Sequence, residues 1–89
     1  MLLAFGRDAW ERLAPDAVPD NFIAFHAVLG QQDRTAPGTQ GDLLFWLHGE
    51  RHDLNLQCAL AIGRALAGIA TLELELHGFR HLDSRDLTG

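Results

Sequence analysis

Eighty-nine residues allow one domain at most, and a chain this short buries only about two-thirds of its unfolded surface. A hydrophobic fraction of 47% argues against disorder, and a net charge of −5 disfavours nucleic acid or an anionic membrane as a partner held by bulk electrostatics. The one cysteine, Cys58, excludes an internal disulfide, and no apolar run approaches the ~20 residues a membrane span needs, so the cytoplasm is the expected compartment.

In chain order, Leu2-Leu-Ala-Phe5 reads as a short buried strand ended by Gly6. No basic segment precedes it, and Gly6-Arg7-Asp8 interrupts it, so it is not a signal peptide. Arg7 to Leu13 fits a two-turn helix with Ala9, Trp10 and Leu13 on one side. Pro15 and Pro19 break the next stretch into a loop. Phe22, Ile23, Phe25, Val28 and Leu29 form an apolar cluster without a clean period, either an anchored loop or a weak strand. Gly30 to Gly41 has the composition of a long surface loop.

Asp42 to His48 is the next predicted strand. Leu43, Phe45 and Leu47 alternate with Leu44, Trp46 and His48, and two apolar faces predict a central strand covered on both sides. Asp53 is the expected N-cap of a helix from about Leu54 to Ala67. That helix is apolar nearly all round, which predicts cover on more than one side. Thr71-Leu-Glu-Leu-Glu-Leu76 alternates strictly, with Leu72, Leu74 and Leu76 toward a core and Glu73 and Glu75 toward water. Gly78 interrupts it. The last segment, His77 to Gly89, breaks every period and carries charges of both signs, as either a solvated tail or part of a functional loop.

Five histidines invite a metal reading. His48 and His52 are four apart, but Gly49 lies between them at a strand end. His77 and His81 would be ~13 Å apart in an extended chain, too far to share a zinc. The expectation is strand-end and loop histidines and no metal site. Cys58 falls on the apolar side of its helix and reads as a small buried hydrophobe. Trp10 and Trp46 read as core aromatics, with a cofactor-pocket wall as the other option. No phosphate loop, nucleophile elbow or dinucleotide fingerprint is present. Residue chemistry alone therefore leads to a soluble α+β domain with a charged C-terminal loop.

Three blocks carry a family resemblance. They are Leu2-Leu-Ala-Phe-Gly6 with Trp10 and Leu13; Ala36-Pro-Gly-Thr-Gln-Gly-Asp-Leu-Leu-Phe-Trp-Leu-His48 leading to Arg51-His-Asp-Leu-Asn55; and His77-Gly-Phe-Arg-His-Leu-Asp-Ser-Arg-Asp-Leu-Thr-Gly89. In order and spacing they resemble the dye-decolourising (DyP-type) haem peroxidases over nearly the whole chain. The third is the most specific. In that family Gly-Phe-Arg, Asp/Glu-x-Arg-Asp-Leu and a glycine run into a Gly-x-x-Asp-Gly motif.

The resemblance implies an α+β, ferredoxin-like domain of the dimeric α/β-barrel type, represented incompletely. Residues 1–89 would be part of the first such domain, lacking its first strand and helix. Leu2–Phe5 would be strand two, Leu43–His48 strand three, Leu54–Ala67 the second helix and Leu72–His77 strand four. The family's first strand lies between the third and fourth, whose backbone groups would otherwise need other partners. The resemblance further implies a parent enzyme that oxidises bulky organic reductants with hydrogen peroxide on haem b, with an aspartate and an arginine assisting proton transfer and charge stabilisation.

The family's aspartate would fall beyond Gly89, and its arginine and proximal histidine belong to a second, haem-binding domain. No catalytic residue is therefore expected here, nor stable haem binding by this chain alone. Arg85, Asp86, Leu87 and Gly89 are the expected support or haem-edge residues. The rival expectations are a non-enzymatic α+β module that self-associates to complete its sheet, and a haem-free dimeric barrel acting on a small ligand.

Overall fold

Short apolar stretches that alternate between two faces reach stability by pairing, and the earliest and the bulkiest such stretches here find one another. The structure, a computed structural model, describes residues 1–84. Its elements in order are β1 (Leu2–Phe5), α1 (Arg7–Leu13), a 3-10 turn (Pro15–Ala17), β2 (Val28–Leu29), β3 (Thr35–Ala36), β4 (Leu43–Trp46) and α2 (His52–Ala65). β1 and β4 are antiparallel, with Leu2 opposite Trp46, Leu3 opposite Phe45, Ala4 opposite Leu44 and Phe5 opposite Leu43. The pairing extends one step further, where the Gly6 N–H donates to the Asp42 carbonyl at 2.8 Å.

A Cβ on Gly6 would lie 2.1 Å from the Gly41 carbonyl oxygen, so only glycine permits this approach. α1 begins directly after it, with Asp8 in the first turn and Arg12 in the last, both suited to the helix dipole. One aromatic contact links the helix to β1. Ala9, 5% exposed, is the one buried hydrophobe among the described residues. Phe5 meets Trp10 edge-on, with centroids 5.2 Å apart at 67°. Such a pair contributes about 0.5–1.5 kcal/mol beyond its buried area. The Trp10 indole N–H donates to the Ala17 carbonyl at 3.0 Å and fixes the 3-10 turn.

β2 and β3 form a second antiparallel pair, Val28 opposite Ala36 and Leu29 opposite Thr35. Of the two expectations for residues 22–29, a weak strand holds for Val28–Leu29. The surface loop expected from Gly30 to Gly41 is corrected in part, because it includes β3. Its turn closes where the Gly30 N–H donates to the Arg34 carbonyl at 2.7 Å, with Gln32 and Asp33 at φ 56° and 60°. Asp is among the residues that tolerate this conformation.

Several expectations need correction. β4 is not covered on both sides: Leu43, Phe45 and Leu47 are half-buried, while Leu44 and Trp46 are 56% and 63% exposed. Trp46 is thus not a core aromatic, because among the described residues only β1 flanks its strand and its side chain stays exposed. Asp53 does not cap α2. The helix starts at His52, with extended Arg51 at the cap position and no side-chain cap bond, because the Asp53 carboxylate is engaged by Arg51. It ends at Ala65, not Ala67, and Gly68 at φ 77° turns the chain away.

A further correction concerns residues 71–77, which form no strand. Leu72, Leu74 and Leu76 are 74%, 71% and 82% exposed. Alternation specifies which face a strand would bury, but a strand also needs a neighbour, and none lies beside these residues among those described. α2 is in the same position, with Leu54, Leu56 and Leu60 about half exposed, and Cys58 is half-buried where a buried residue was expected.

The architecture is α+β and ferredoxin-like in the part it contains, with a two-stranded central pair where that fold has four strands. The radius of gyration is 16.5 Å, against about 12 Å for a compact chain of this length. The accessible surface is 8291 Å², against about 5,200 Å² for a compact monomer of this mass.

Replacing Gly6 by Ala is expected to destabilise the β1–β4 pair by roughly 1–3 kcal/mol through overpacking against backbone. Gly41→Ala, where nothing lies within 4 Å of the added Cβ, should stay within about 0.5 kcal/mol. Thermal unfolding of the two variants side by side tests this; equal midpoints would contradict the close approach.

Candidate functional site

Two of the three family-like blocks converge on one junction. Gly6 ends the first and Asp42 opens the strand of the second. The Asp42 backbone accepts from Gly6, while its carboxylate Oδ1 accepts from Arg12 Nη2 at 3.1 Å. On the other side of α1, Arg7 Nε donates to the Phe22 carbonyl at 3.0 Å and Arg7 Nη1 to Glu11 Oε2 at 2.8 Å. The Gln40 side-chain amide donates to the Phe25 carbonyl at 2.9 Å. A Cβ on Gly38 would meet that same carbonyl oxygen at 2.6 Å. The Ala36–Asp42 segment is thus pinned at both ends, to Phe25 and to Gly6.

None of these polar links is legible in the sequence. Arg7, Arg12 and Gln40 are ordinary surface residue types, and only the glycines at 6, 38 and 41 hint at close backbone approach. The junction positions loops; it holds no nucleophile and no acid–base pair.

A second charged feature sits at the start of α2, still inside the second block. Arg51 Nε donates to Asp53 Oδ1 at 3.0 Å, and Arg51 Nη2 donates to Asp53 Oδ2, a two-pronged geometry that suits guanidinium and carboxylate. The Arg51 hydrogen bond holds the Asp53 carboxyl below the usual carboxylate range, helped by backbone N–H groups of the first turn. Asp53 in turn pushes the guanidinium of Arg51 further up. The Asn55 side-chain amide donates to the Gly49 carbonyl at 3.4 Å and ties this end of the helix to the strand exit.

The third block is described only as far as Ser84. Arg85, Asp86, Leu87 and Gly89, the expected support or haem-edge residues, lie outside the described residues. Ahead of them the Ser84 N–H donates to the His81 carbonyl at 2.9 Å, and Leu82 and Ser84 adopt φ 46° and 69°. Left-handed conformation at a leucine marks a locally constrained turn. His77 Nε2 lies 2.8 Å from Glu75 Oε1. Among the described residues, no three His, Cys, Asp or Glu side chains converge as a metal site would require.

A groove of about 390 Å³ opens beside β1, lined by Leu3, Ala4, Phe5, Trp10, Pro19, Asn21 and Phe22. It is the setting in which a cofactor role for Trp10 could hold. A haem needs an axial ligand from His, Cys, Met or Tyr at an apolar pocket, and this lining supplies none. The described residues around this groove do not fit a haem. No helix among the described residues is long and apolar enough to cross a membrane.

The Asp53 carboxylate contributes stability that is present above its ordinary value of 3.8 and is lost as pH falls through its lowered value. Arg51→Ala should move the Asp53 titration, followed by carboxyl-carbon NMR, back up toward 3.8. An unmoved titration would contradict the pairing.

Comparison with known proteins agrees with this outline. Residues 1–80 match the family model described as "Dyp-type peroxidase, N-terminal". A dye-decolorizing peroxidase of Mycolicibacterium paratuberculosis is 39% identical over 88 residues, covering 99% of this chain and 25% of that protein. One from Mycobacterium tuberculosis is 37% identical over 89 residues, covering 100% and 26%. The crystal structure of a dye-decolorizing peroxidase from Bacteroides thetaiotaomicron superposes with a TM-score of 0.89 at 35% identity, over 98% of this chain and 28% of that one. The chain therefore spans about a quarter of the length of the relatives it matches. With the family model covering most of its residues and the fold in agreement, this chain belongs to the Dyp-type peroxidase family, in its N-terminal region.

Proposed function

We propose that these 89 residues form part of the first ferredoxin-like domain of a haem-dependent peroxidase, one that oxidises bulky organic reductants with hydrogen peroxide in the cytoplasm. The observation that carries this reading is the Gly6–Asp42 junction, where the first two family-like blocks lock together over a chain that matches a peroxidase structure along 98% of its length.

Within that enzyme the chain's own residues do structural work. Gly6 lets the loop end at Gly41 approach β1. Arg12 and Asp42 hold α1 against the start of β4, and Gln40 ties the loop to Phe25. The bound haem would supply the redox chemistry of peroxide reduction. Arg85, Asp86, Leu87 and Gly89 come after the constrained turn at Leu82–Ser84 and would support the loop that faces it. The described residues supply no axial ligand at the groove, and the junction offers only backbone groups and ion-paired side chains. Activity accordingly belongs to the longer protein and not to this chain in isolation.

The test is turnover. The purified chain mixed with haem should oxidise an anthraquinone dye with hydrogen peroxide no faster than free haem at the same concentration. The same 89 residues exchanged into the corresponding region of a full-length family member should leave that enzyme folded and active. Turnover by the isolated chain above the free-haem background overturns the division of labour. A chimera that folds but loses haem-dependent turnover counts against the peroxidase reading itself.

A further inference from the structure

We propose that residues 25–40 form a self-latched flap, a hairpin that opens and closes as one unit on two roots held by α1, with the Gln40 side chain as its latch. The middle of the segment is the β2–β3 pair, Val28 opposite Ala36 and Leu29 opposite Thr35. At the tip the Gly30 N–H donates to the Arg34 carbonyl at 2.7 Å, and the Arg34 N–H to the Gln31 carbonyl at 3.3 Å. At the base the Gln40 side-chain amide donates to the Phe25 carbonyl at 2.9 Å. Gly38 crosses beside it so closely that a Cβ would meet that carbonyl oxygen at 2.6 Å and the Ala27 nitrogen at 3.4 Å.

The two legs of the segment thus meet at tip, strands and base. Bonds that join the same two legs are lost together when the legs part, and a contiguous set of this kind opens as a cooperative unit. Among the described residues, every hydrogen bond made by 25–40 closes within the segment.

The roots lie just outside it, and both are held by α1. The Phe22 carbonyl accepts from Arg7 Nε at 3.0 Å, at the start of the helix. The Asp42 carboxylate accepts from Arg12 Nη2 at 3.1 Å, in the last turn. Residues 23–24 link one root to the flap, and Gly41 links the other. Nothing lies within 4 Å of a Cβ placed on Gly41, and a glycine between an anchored aspartate and a latched glutamine suits a hinge. Two jobs are therefore separated. The arginines of α1 fix where the flap stands, and the flap's own bonds fix whether it is shut.

The tip works against closure. Gln32 and Asp33 hold φ 56° and 60°, the sense that mirror-image hairpin turns require at both central positions. Asn-Gly adopts it readily, whereas glutamine has no such tolerance. A base that latches and a tip that resists give a closed state of modest depth.

The inference does not rest on the peroxidase reading, and its test is separate. Amide hydrogen exchange of the intact protein is followed by mass spectrometry, on peptides covering each leg of the flap and on peptides covering β1 and β4. Both legs are expected to open together and to exchange faster than β1 and β4. Gln40→Leu removes the latch donor and should speed exchange of both legs about fivefold, the worth of one hydrogen bond, while leaving β1 and β4 unmoved. Gln32→Asn combined with Asp33→Gly relieves the tip and should slow both legs. Legs that respond separately, a flap that exchanges only together with β1 and β4, or exchange indifferent to both changes would overturn the proposal.

Discussion

The close approach of Gly6 to the Gly41–Asp42 backbone is the constraint on which the rest of the described structure depends. It brings the residue just after one strand within hydrogen-bonding distance of the residue just before another, although some 36 positions separate them. Closing so long a loop costs entropy that grows only slowly with its length, so the intervening residues can be irregular without forbidding the contact. Once β1 and β4 are in register, α1 follows directly from β1, and Phe5 meets Trp10 edge-on. Arg12 then reaches the carboxylate of the same aspartate whose backbone Gly6 bonds. One junction thus sets strand register, helix direction and loop path.

Away from that junction the chain is held far less tightly. α2 presents Leu54, Leu56 and Leu60 to solvent, and the alternating leucines from 72 to 76 touch no sheet. Hydrophobic surface is stabilising only when something removes it from water, and here much of it stays wet. This agrees with a chain that spans about a quarter of its relatives' length while superposing closely on its part of one of their structures. The local conformations are those of the family; the packing that normally accompanies such conformations is sparse.

The contrast also explains which features were legible in the sequence. β1, α1 and the core of β4 could be read because their determinants are local: a glycine stop, a two-turn apolar period, a run of bulky residues. Residues 71–77 alternate as clearly as any strand, yet form none, because pairing depends on a neighbour that a stretch cannot specify by itself. The same holds for Trp46, whose composition suits a core that its surroundings do not build. At Asp53 the error was one of competition, since a good capping residue was already engaged by a guanidinium two positions earlier. The junction was legible only through its glycines, as Arg12–Asp42 and Gln40–Phe25 join residues far apart in the sequence. The family-like blocks were legible throughout because their order and spacing survive whatever the packing does.

The alternating glutamates at 73 and 75 have a consequence for the chain's behaviour in a crowded solution. A bare ridge of three leucines on an extended segment has the composition from which cross-β stacks grow. In such a stack identical segments lie in register about 4.8 Å apart, so each glutamate would stand directly on its own image in the next molecule. Two columns of carboxylates would run the length of any fibril, like charge on like charge. Glu73 and Glu75 thus occupy the alternate positions at which gatekeeper charges oppose in-register stacking of an apolar stretch.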